Sequence, residues 1–264
     1  MSRGLGDVYK RQLLHREGFY GVELNLPDLD LIKPEELKSL LNEYQMKMNM
    51  LATGVYAKTH GLSLSSGIPE ERMRAVNGCK RNIDYAASMG CGIIIGFLKG
   101  GPGSDREVSE RLFLESMLEL KPYIEEKKVQ VLIEATNHKE ASIIRTLKEG
   151  AHVINFLDCP FIQLLADTYH MNIEEPSLVD SLSEYMNYYP HLHISDDNRA
   201  YPGLGSLDFT AIYRKLMECG YKGTVAVEGN IQHGLLEDTQ ICAAYLHKMC
   251  SGLHTPSRVP SHAV

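Results

Sequence analysis

Short runs of β-branched and other apolar residues alternate along this chain with longer stretches of helical period, the pattern of a parallel sheet assembled from βα units. Seven strand-like runs are evident: 20–24 (YGVEL), 47–53 (KMNMLAT), 92–98 (GIIIGFL), 129–135 (VQVLIEA), 162–167 (IQLLAD), 189–195 (YPHLHIS) and 223–228 (GTVAVE). Between them the helix ends are legible. Pro34 ahead of Glu35 and Glu36 marks one start, because proline suits the first helical position and acids complement the N-terminal dipole. Pro69-Glu70-Glu71 marks another, for a helix that places Met73, Val76 and Ile83 on one side and stops at Gly90. Ser104 and Glu107 read as a capping box for a long helix reaching about Lys127, and further helices fit 139–149, 177–187, 208–219 and 236–249.

Units of this kind close into an α/β TIM (β/α)8 barrel of about 250 residues. Counting back one unit from the strand ending near Glu23 puts the end of a first strand at or before residue 1, and the segment 1–18 has room for a helix around Tyr9–Arg16 but little for a strand. The expectation is a single barrel domain over 1–250, with its first strand missing or atypical, residues 1–12 foreign or atypical, and a disordered tail at 251–264.

Composition narrows the function classes. With 264 residues, 44% of them hydrophobic, the chain can bury a full core without a metal or a disulfide to fold it. Lys+Arg 27 against Asp+Glu 34 leaves a net charge of −7, which argues against nucleic acid as a partner, since neutralising phosphates takes a basic face. The six cysteines contain no CxxC pair and read as free thiols in a reducing compartment. No run approaches the ~18 apolar residues of a membrane span, and the start MSRGLGDVYKRQ lacks an apolar signal region, so a cytoplasmic protein with no membrane partner is expected. Neither a GxGxxG fingerprint nor a GxSxG elbow is present, which disfavours dinucleotide and serine-hydrolase chemistry.

The candidate chemistry sits where a barrel carries it, at the C-terminal ends of strands. Glu134, Asp167, His193 and Glu228 each follow an apolar run, spaced 33, 26 and 35 residues apart, so they recur at one place in successive βα units. Any one of these acids alone reads as a solvated loop residue or a helix cap; four in phase read as a site. Three carboxylates and an imidazole form a mixed O/N set for a divalent metal, with Mn²⁺ or Co²⁺ favoured and Mg²⁺ or Zn²⁺ admitted. Three further residues follow closely: Glu140 six positions after Glu134, His170 three after Asp167, and Arg199 six after His193. An Arg fork, a His and a carboxylate can hold a sugar's hydroxyls and carbonyl. Each also has a structural reading: Glu140 in the first turn of its helix, Arg199 paired with Asp196 or Asp197. His191 reads as a packed core histidine on the same side of its strand as His193. The loop Lys99-Gly-Gly-Pro-Gly103 reads as a lid rather than a phosphate cradle, and His60 is a weak candidate for the same mouth.

At these residues the chain resembles the xylose isomerase-like TIM-barrel sugar phosphate isomerase/epimerase superfamily, over roughly residues 12–250. Within it the likeness is greatest to ketose 3-epimerases of the tagatose/psicose type. The quartet Glu134, Asp167, His193 and Glu228 matches that family's metal ligands. DTYHMNIEE at 167–175 is similar to its motif after the sixth strand, HISDDNRAYPGLGSLDF at 193–209 to the one after the seventh, and GYKGTVAVEGN at 220–230 to its last strand. The resemblance implies that Glu134 and Glu228 are both metal ligands and the catalytic acid/base pair, and that Glu140, His170 and Arg199 bind substrate near its carbonyl.

Inverting a carbon requires a proton removed from one face and returned to the other, so a pair of acid/base groups favours epimerisation over a one-base isomerisation. The expected activity is metal-dependent C3 epimerisation of a ketose or related keto-sugar through a cis-enediolate, with a small-molecule sugar as partner and self-association into a homo-oligomer open. A free sugar is preferred to a phosphate, because no basic cluster adjoins the site. The alternative is a lyase of the inosose-dehydratase or keto-glycoside-cleaving kind on the same metal site. An endonuclease IV-like phosphodiesterase would need a richer ligand set and a basic face.

Overall fold

A computed structural model describes residues 13–103 and 105–253. Within them seven parallel strands follow one another in chain order: β1 (Gly21–Asn25), β2 (Lys47–Ala52), β3 (Gly92–Ile95), β4 (Val131–Glu134), β5 (Ile162–Asp167), β6 (His191–Ile194) and β7 (Thr224–Val227). β1 and β7 are the edges of this sheet, and no ladder joins them among the described residues. The sheet is that of a nearly closed α/β barrel. The expectations for residues 1–12 fall outside the described residues, as does the tail beyond residue 253.

Helices return the chain between strands: α1 (Pro34–Asn42), α2 (Gly54–His60), α3 (Pro69–Met89), α4 (Arg106–Lys127), α5 (Leu147–Leu157), α6 (Thr168–Glu174), α7 (Leu178–Glu184), α8 (Phe209–Glu218) and α9 (Leu235–Leu253). Proline begins α1 and α3, and Gly90 ends α3 at φ 73°, as its sequence signals require. Among the described residues no helix is long and apolar enough to cross a membrane.

Four expectations change. The cap of α4 is Asp105, whose Oδ1 accepts the Val108 N–H at 2.9 Å, one position past the expected Ser104 box. Met73 is 58% exposed, while Val76 and Ile83 of the same helix are buried. α9 continues to Leu253, so 251–253 are helical rather than tail. The largest change is at 139–149. A turn closes on the Asn137 carbonyl, Ile144 takes φ 53°, and the helix starts at Leu147 under a Thr146 cap. Ala141, Ile143 and Ile144 are buried there as irregular chain, so packing rather than helical period explains their apolarity.

Side-chain parity decides what each strand delivers. Ile93 and Ile95 pack outward into the main core with the helices, whereas Ile94 joins Met50, Leu132 and Leu165 in a separate small cluster inside the barrel. Strands buried on both faces explain the unbroken apolar runs. Successive residues point to opposite faces, so Glu134 shares the inward face with Leu132, and Asp167 shares it with Leu165. All six cysteines are free.

Candidate metal centre and the barrel mouth

Glu134 and Asp167 are the last residues of β4 and β5, His193 is the third residue of β6, and Glu228 directly follows β7. One ligand atom from each of the four lies within 4.8 Å of all the others. Asp167, His193 and Glu134 are buried, and Glu228 is the open member, its side chain 45% exposed. Gly96, just past β3, makes room for the group: a Cβ there would stand 2.4 Å from Glu134 Oε2.

Countercharge in the cluster is unevenly shared. Arg199 donates Nη1 to both Asp167 oxygens at 3.1 and 3.0 Å and Nη2 to Glu228 Oε2 at 2.7 Å. His193 Nδ1 lies 3.1 Å from the same Glu228 oxygen and 3.9 Å from Asp167 Oδ2. Burial works to raise the Glu228 carboxyl, but His193 and Arg199 outweigh it and hold it down at about 2. Glu134 is hydrogen-bonded to neither among the described residues. Burial first, then the charges of Glu228 and Asp167, push its carboxyl up to about 8, and the charges of His193 and Lys99 offset this rise only in part. Its Oε1 is buried without a hydrogen-bond partner among the described residues. Burial acts to lower His193, yet its bonds to Glu228 and Glu23 lift it well above the ordinary imidazole range.

This set fits a divalent cation. Three carboxylates and one imidazole are hard-to-borderline donors of the kind such ions take, and the orphaned Glu134 oxygen is a buried polar atom that lacks the partner a cation would provide.

The cavity above the cluster, about 220 Å³, is lined by Glu140, His170 and Arg199 together with Glu134, His193 and Glu228. His170 is buried, and its Nδ1 accepts the Asn137 backbone N–H at 3.2 Å and lies 2.8 Å from the Asn137 side-chain nitrogen. With Nδ1 accepting, a neutral ring carries its proton on Nε2, which lies 3.7 Å from Glu134 Oε1. Burial and the Arg199 charge, against the opposing pull of Asp167, lower the imidazole and favour that neutral form. Arg199 stacks over Tyr169 with 4.8 Å to the ring centroid. It pairs with Asp167 and Glu228 and not with Asp196 or Asp197, which instead hold the 203–207 loop. No helix begins at Glu140, so helix-end stabilisation does not account for it.

Other expectations are corrected. His60 packs against the Tyr56 ring at 4.4 Å and is not part of the cavity lining. Lys99, the first residue of the loop expected as a lid, is fully buried and donates Nζ to Thr136 Oγ1 at 2.5 Å. Burial depresses its ammonium to about 8 against the opposing charges of Glu134 and Glu140. His191 is buried as expected but is tied into a polar chain, through Thr224 on one nitrogen and, at 2.6 Å, Glu23 on the other. Sequence reasoning missed Glu23, Asn137 and Lys99. Glu23 carried a signal, being an acid near the end of a strand like the quartet members; Lys99 carried none, since a lysine beside a glycine-rich turn reads as surface.

Comparison with known proteins follows the same outline. Residues 12–244 match the family described as Xylose isomerase-like TIM barrel. The D-psicose 3-epimerase of Enterocloster bolteae is 27% identical over 224 residues, 82% of this chain and 74% of that protein. The 3-dehydro-D-guloside 4-epimerase of Escherichia coli is 37% identical over 102 residues, 39% of each chain. A solved L-ribulose 3-epimerase superposes with a TM-score of 0.84 at 18% identity, covering 96% of this chain and 91% of that one.

Proposed function

This chain belongs to the xylose isomerase-like TIM barrel family, and on that premise we propose that it is a metal-dependent sugar epimerase, an isomerase-class enzyme that inverts the carbon beside a ketone carbonyl. The curated relatives are named as ketose 3-epimerases and a keto-glycoside 4-epimerase. Both names describe inversion next to a carbonyl.

Glu134, Asp167, His193 and Glu228 hold the cation, with Mn²⁺ or Co²⁺ preferred and Mg²⁺ or Zn²⁺ also suited to the mixed donor set. When bound, it supplies Lewis-acid stabilisation of the negative charge that develops on the carbonyl oxygen. Glu134 and Glu228 stand three strands apart around the ring, so they can address a sugar from two sides; one removes the α-proton and the other returns a proton to the opposite face. His170 Nε2–H and the Arg199 guanidinium orient the carbonyl end, and Glu140 accepts hydrogen bonds from hydroxyls. The observation that carries this reading is the buried, unpartnered Glu134 oxygen within a four-donor cluster.

C3 inversion of a ketose is the first reading, because the D-psicose 3-epimerase aligns over most of this chain. The 37% identity over a shorter stretch to the 4-epimerase favours, as a second reading, C4 inversion of a 3-keto-glycoside. The Mn²⁺-loaded protein incubated in D₂O with free ketoses and 3-keto-glycosides decides. One deuterium enters the inverted carbon, followed by mass and NMR, and the position labelled separates the readings. No exchange across the panel by metal-bound protein rejects the epimerase reading, and loss of water or aglycone points to the lyase instead. Glu228→Gln abolishes exchange while leaving the circular dichroism spectrum unchanged.

A further inference from the structure

We propose that Glu23, on β1, is the positioning residue of the metal centre, locking the His193 ring so that Nδ1 faces Glu228 and Asp167, the side from which it would bind a cation; this rests on the metal-dependent reading above. β1 contributes nothing to the four-donor cluster, yet it sends one carboxylate into the barrel, with a side chain only 17% exposed. Both oxygens of that carboxylate are engaged. Oε2 lies 2.8 Å from His193 Nε2, while Oε1 lies 2.6 Å from His191 Nε2 and accepts the Asn49 side-chain N–H at 3.1 Å.

The backbone is shaped for this contact. The β1–β2 ladder pairs Val22 with Met48 and Glu23 with Met50, so the register slips between Val22 and Glu23 and passes over Asn49. Such a bulge re-aims a side chain, and Asn49, the residue passed over, is the one that buttresses Glu23. His191 is itself held on its other nitrogen by Thr224. The Glu23 carboxylate is therefore held by hydrogen bonds to Asn49 and His193 and by the close approach of His191, from two strands other than its own.

The consequence for His193 is chemical. An ionised carboxylate only accepts, so Nε2 must carry the hydrogen, and the ring presents Nδ1 towards Glu228 Oε2 at 3.1 Å and Asp167 Oδ2 at 3.9 Å. Turning the imidazole over about its Cβ–Cγ bond would break the Glu23 contact. A carboxylate behind a ligating histidine orients the ring and makes it a better donor, and losing such a partner typically costs about 10–100-fold in metal affinity.

The test measures metal binding rather than turnover. Wild-type, Glu23→Gln and Glu23→Leu proteins are stripped of metal, checked by circular dichroism and titrated calorimetrically with MnCl₂. His193 is followed by imidazole ¹⁵N–¹H NMR after loading with Zn²⁺. Glu23→Gln, which keeps an acceptor but no charge, is expected to weaken Mn²⁺ about tenfold, and Glu23→Leu about a hundredfold. The hydrogen-bonded Nε2–H signal of His193 shifts in the Gln variant and disappears by solvent exchange in the Leu variant. Should Glu23→Leu fail to fold, Glu23→Gln decides alone. Wild-type affinity with an unchanged His193 signal in the folded variants overturns the assignment while leaving the epimerase reading standing. A wild-type protein that binds no divalent ion overturns both.

Discussion

Glu134 and Glu228 are the same residue type at matching places in their βα units, but their surroundings drive them apart, one carboxyl to about 8 and the other to about 2. Without a cation the two carboxyls thus differ in protonation near neutrality, and a bound divalent ion would draw Glu134 towards the ionised form that a ligand needs. The sign of the stability effect follows from Glu134. Its carboxyl lies above the ordinary 4.5, so the unfolded chain releases the proton while the folded protein retains it. The associated stabilisation is full below about 4.5 and is lost as pH rises through about 8. The metal-free protein should therefore lose melting temperature across that window. Glu134→Gln should flatten the profile and melt higher than wild type above pH ~8, while no longer gaining stability from Mn²⁺; thermal melts from pH 5 to 9 measure both, and an unchanged profile would remove Glu134 as the source. The candidate residues themselves were legible in the sequence. Their partners were not: Arg199 had acids at Asp196 and Asp197 within a few positions, yet it binds Asp167 and Glu228, 32 and 29 residues away.

The loop after β6 shows how an element serves a residue. Arg199 takes φ 62°, a conformation unfavourable for a side chain of its kind, and is held there because its N–H bonds the Asp196 carbonyl at 2.9 Å and its carbonyl accepts Asn230 N–H at 2.7 Å. The Asp196 carboxylate, 1% exposed, organises the return of the loop by accepting the N–H groups of Gly203, Gly205 and Leu207 at 3.0, 2.9 and 2.8 Å. Gly205 allows that approach, since a Cβ would lie 2.5 Å from the carboxylate. Asp196→Ala orphans these three donors and the Asp197 N–H, which bonds Oδ1 at 3.1 Å, at ~1–3 kcal/mol for each that stays buried, so denaturant unfolding should show a loss of about 2 kcal/mol or more. Sugar KM should rise as Arg199 is released. Strands and the starts of the proline-led helices were read from local pattern within a residue or two, except that the run 92–98 passes beyond the end of β3 at Ile95 into a 3-10 turn over Phe97–Lys99. The helix placed at 139–149 was not, because ASIIRTLKEG has helical composition and only the packing of Ile143 and Ile144 into the main core decides where the helix begins.

Across the whole molecule, the parallel order β1 to β7 converts separations of 26 to 35 residues into distances below 5 Å. Cation binding should accordingly be felt throughout the barrel, since the ligands come from four adjacent strands. Saturating Mn²⁺ at about 100 times its dissociation constant corresponds to roughly 2.7 kcal/mol of added stability. The melting temperature should therefore rise with MnCl₂ and fall back on adding EDTA, and a flat response would argue against ligands held on strands. The Glu23–His193 contact adds a tie through the barrel interior between β1, an edge of the sheet, and β6.

The sequence by itself determined the barrel class, the strands and the phase of the four polar strand ends. Those follow from short unbroken apolar runs and the recurrence of βα units, both of which are legible along the chain. Tertiary structure alone decided which groups meet inside: Glu23 behind His193, Asn137 on His170, Lys99 buried against Thr136, and Arg199 across Asp167 and Glu228. Their physical cause is nonlocal, for a carboxylate's charge state and an imidazole's orientation depend on neighbours supplied by other strands, and no spacing along the chain encodes them.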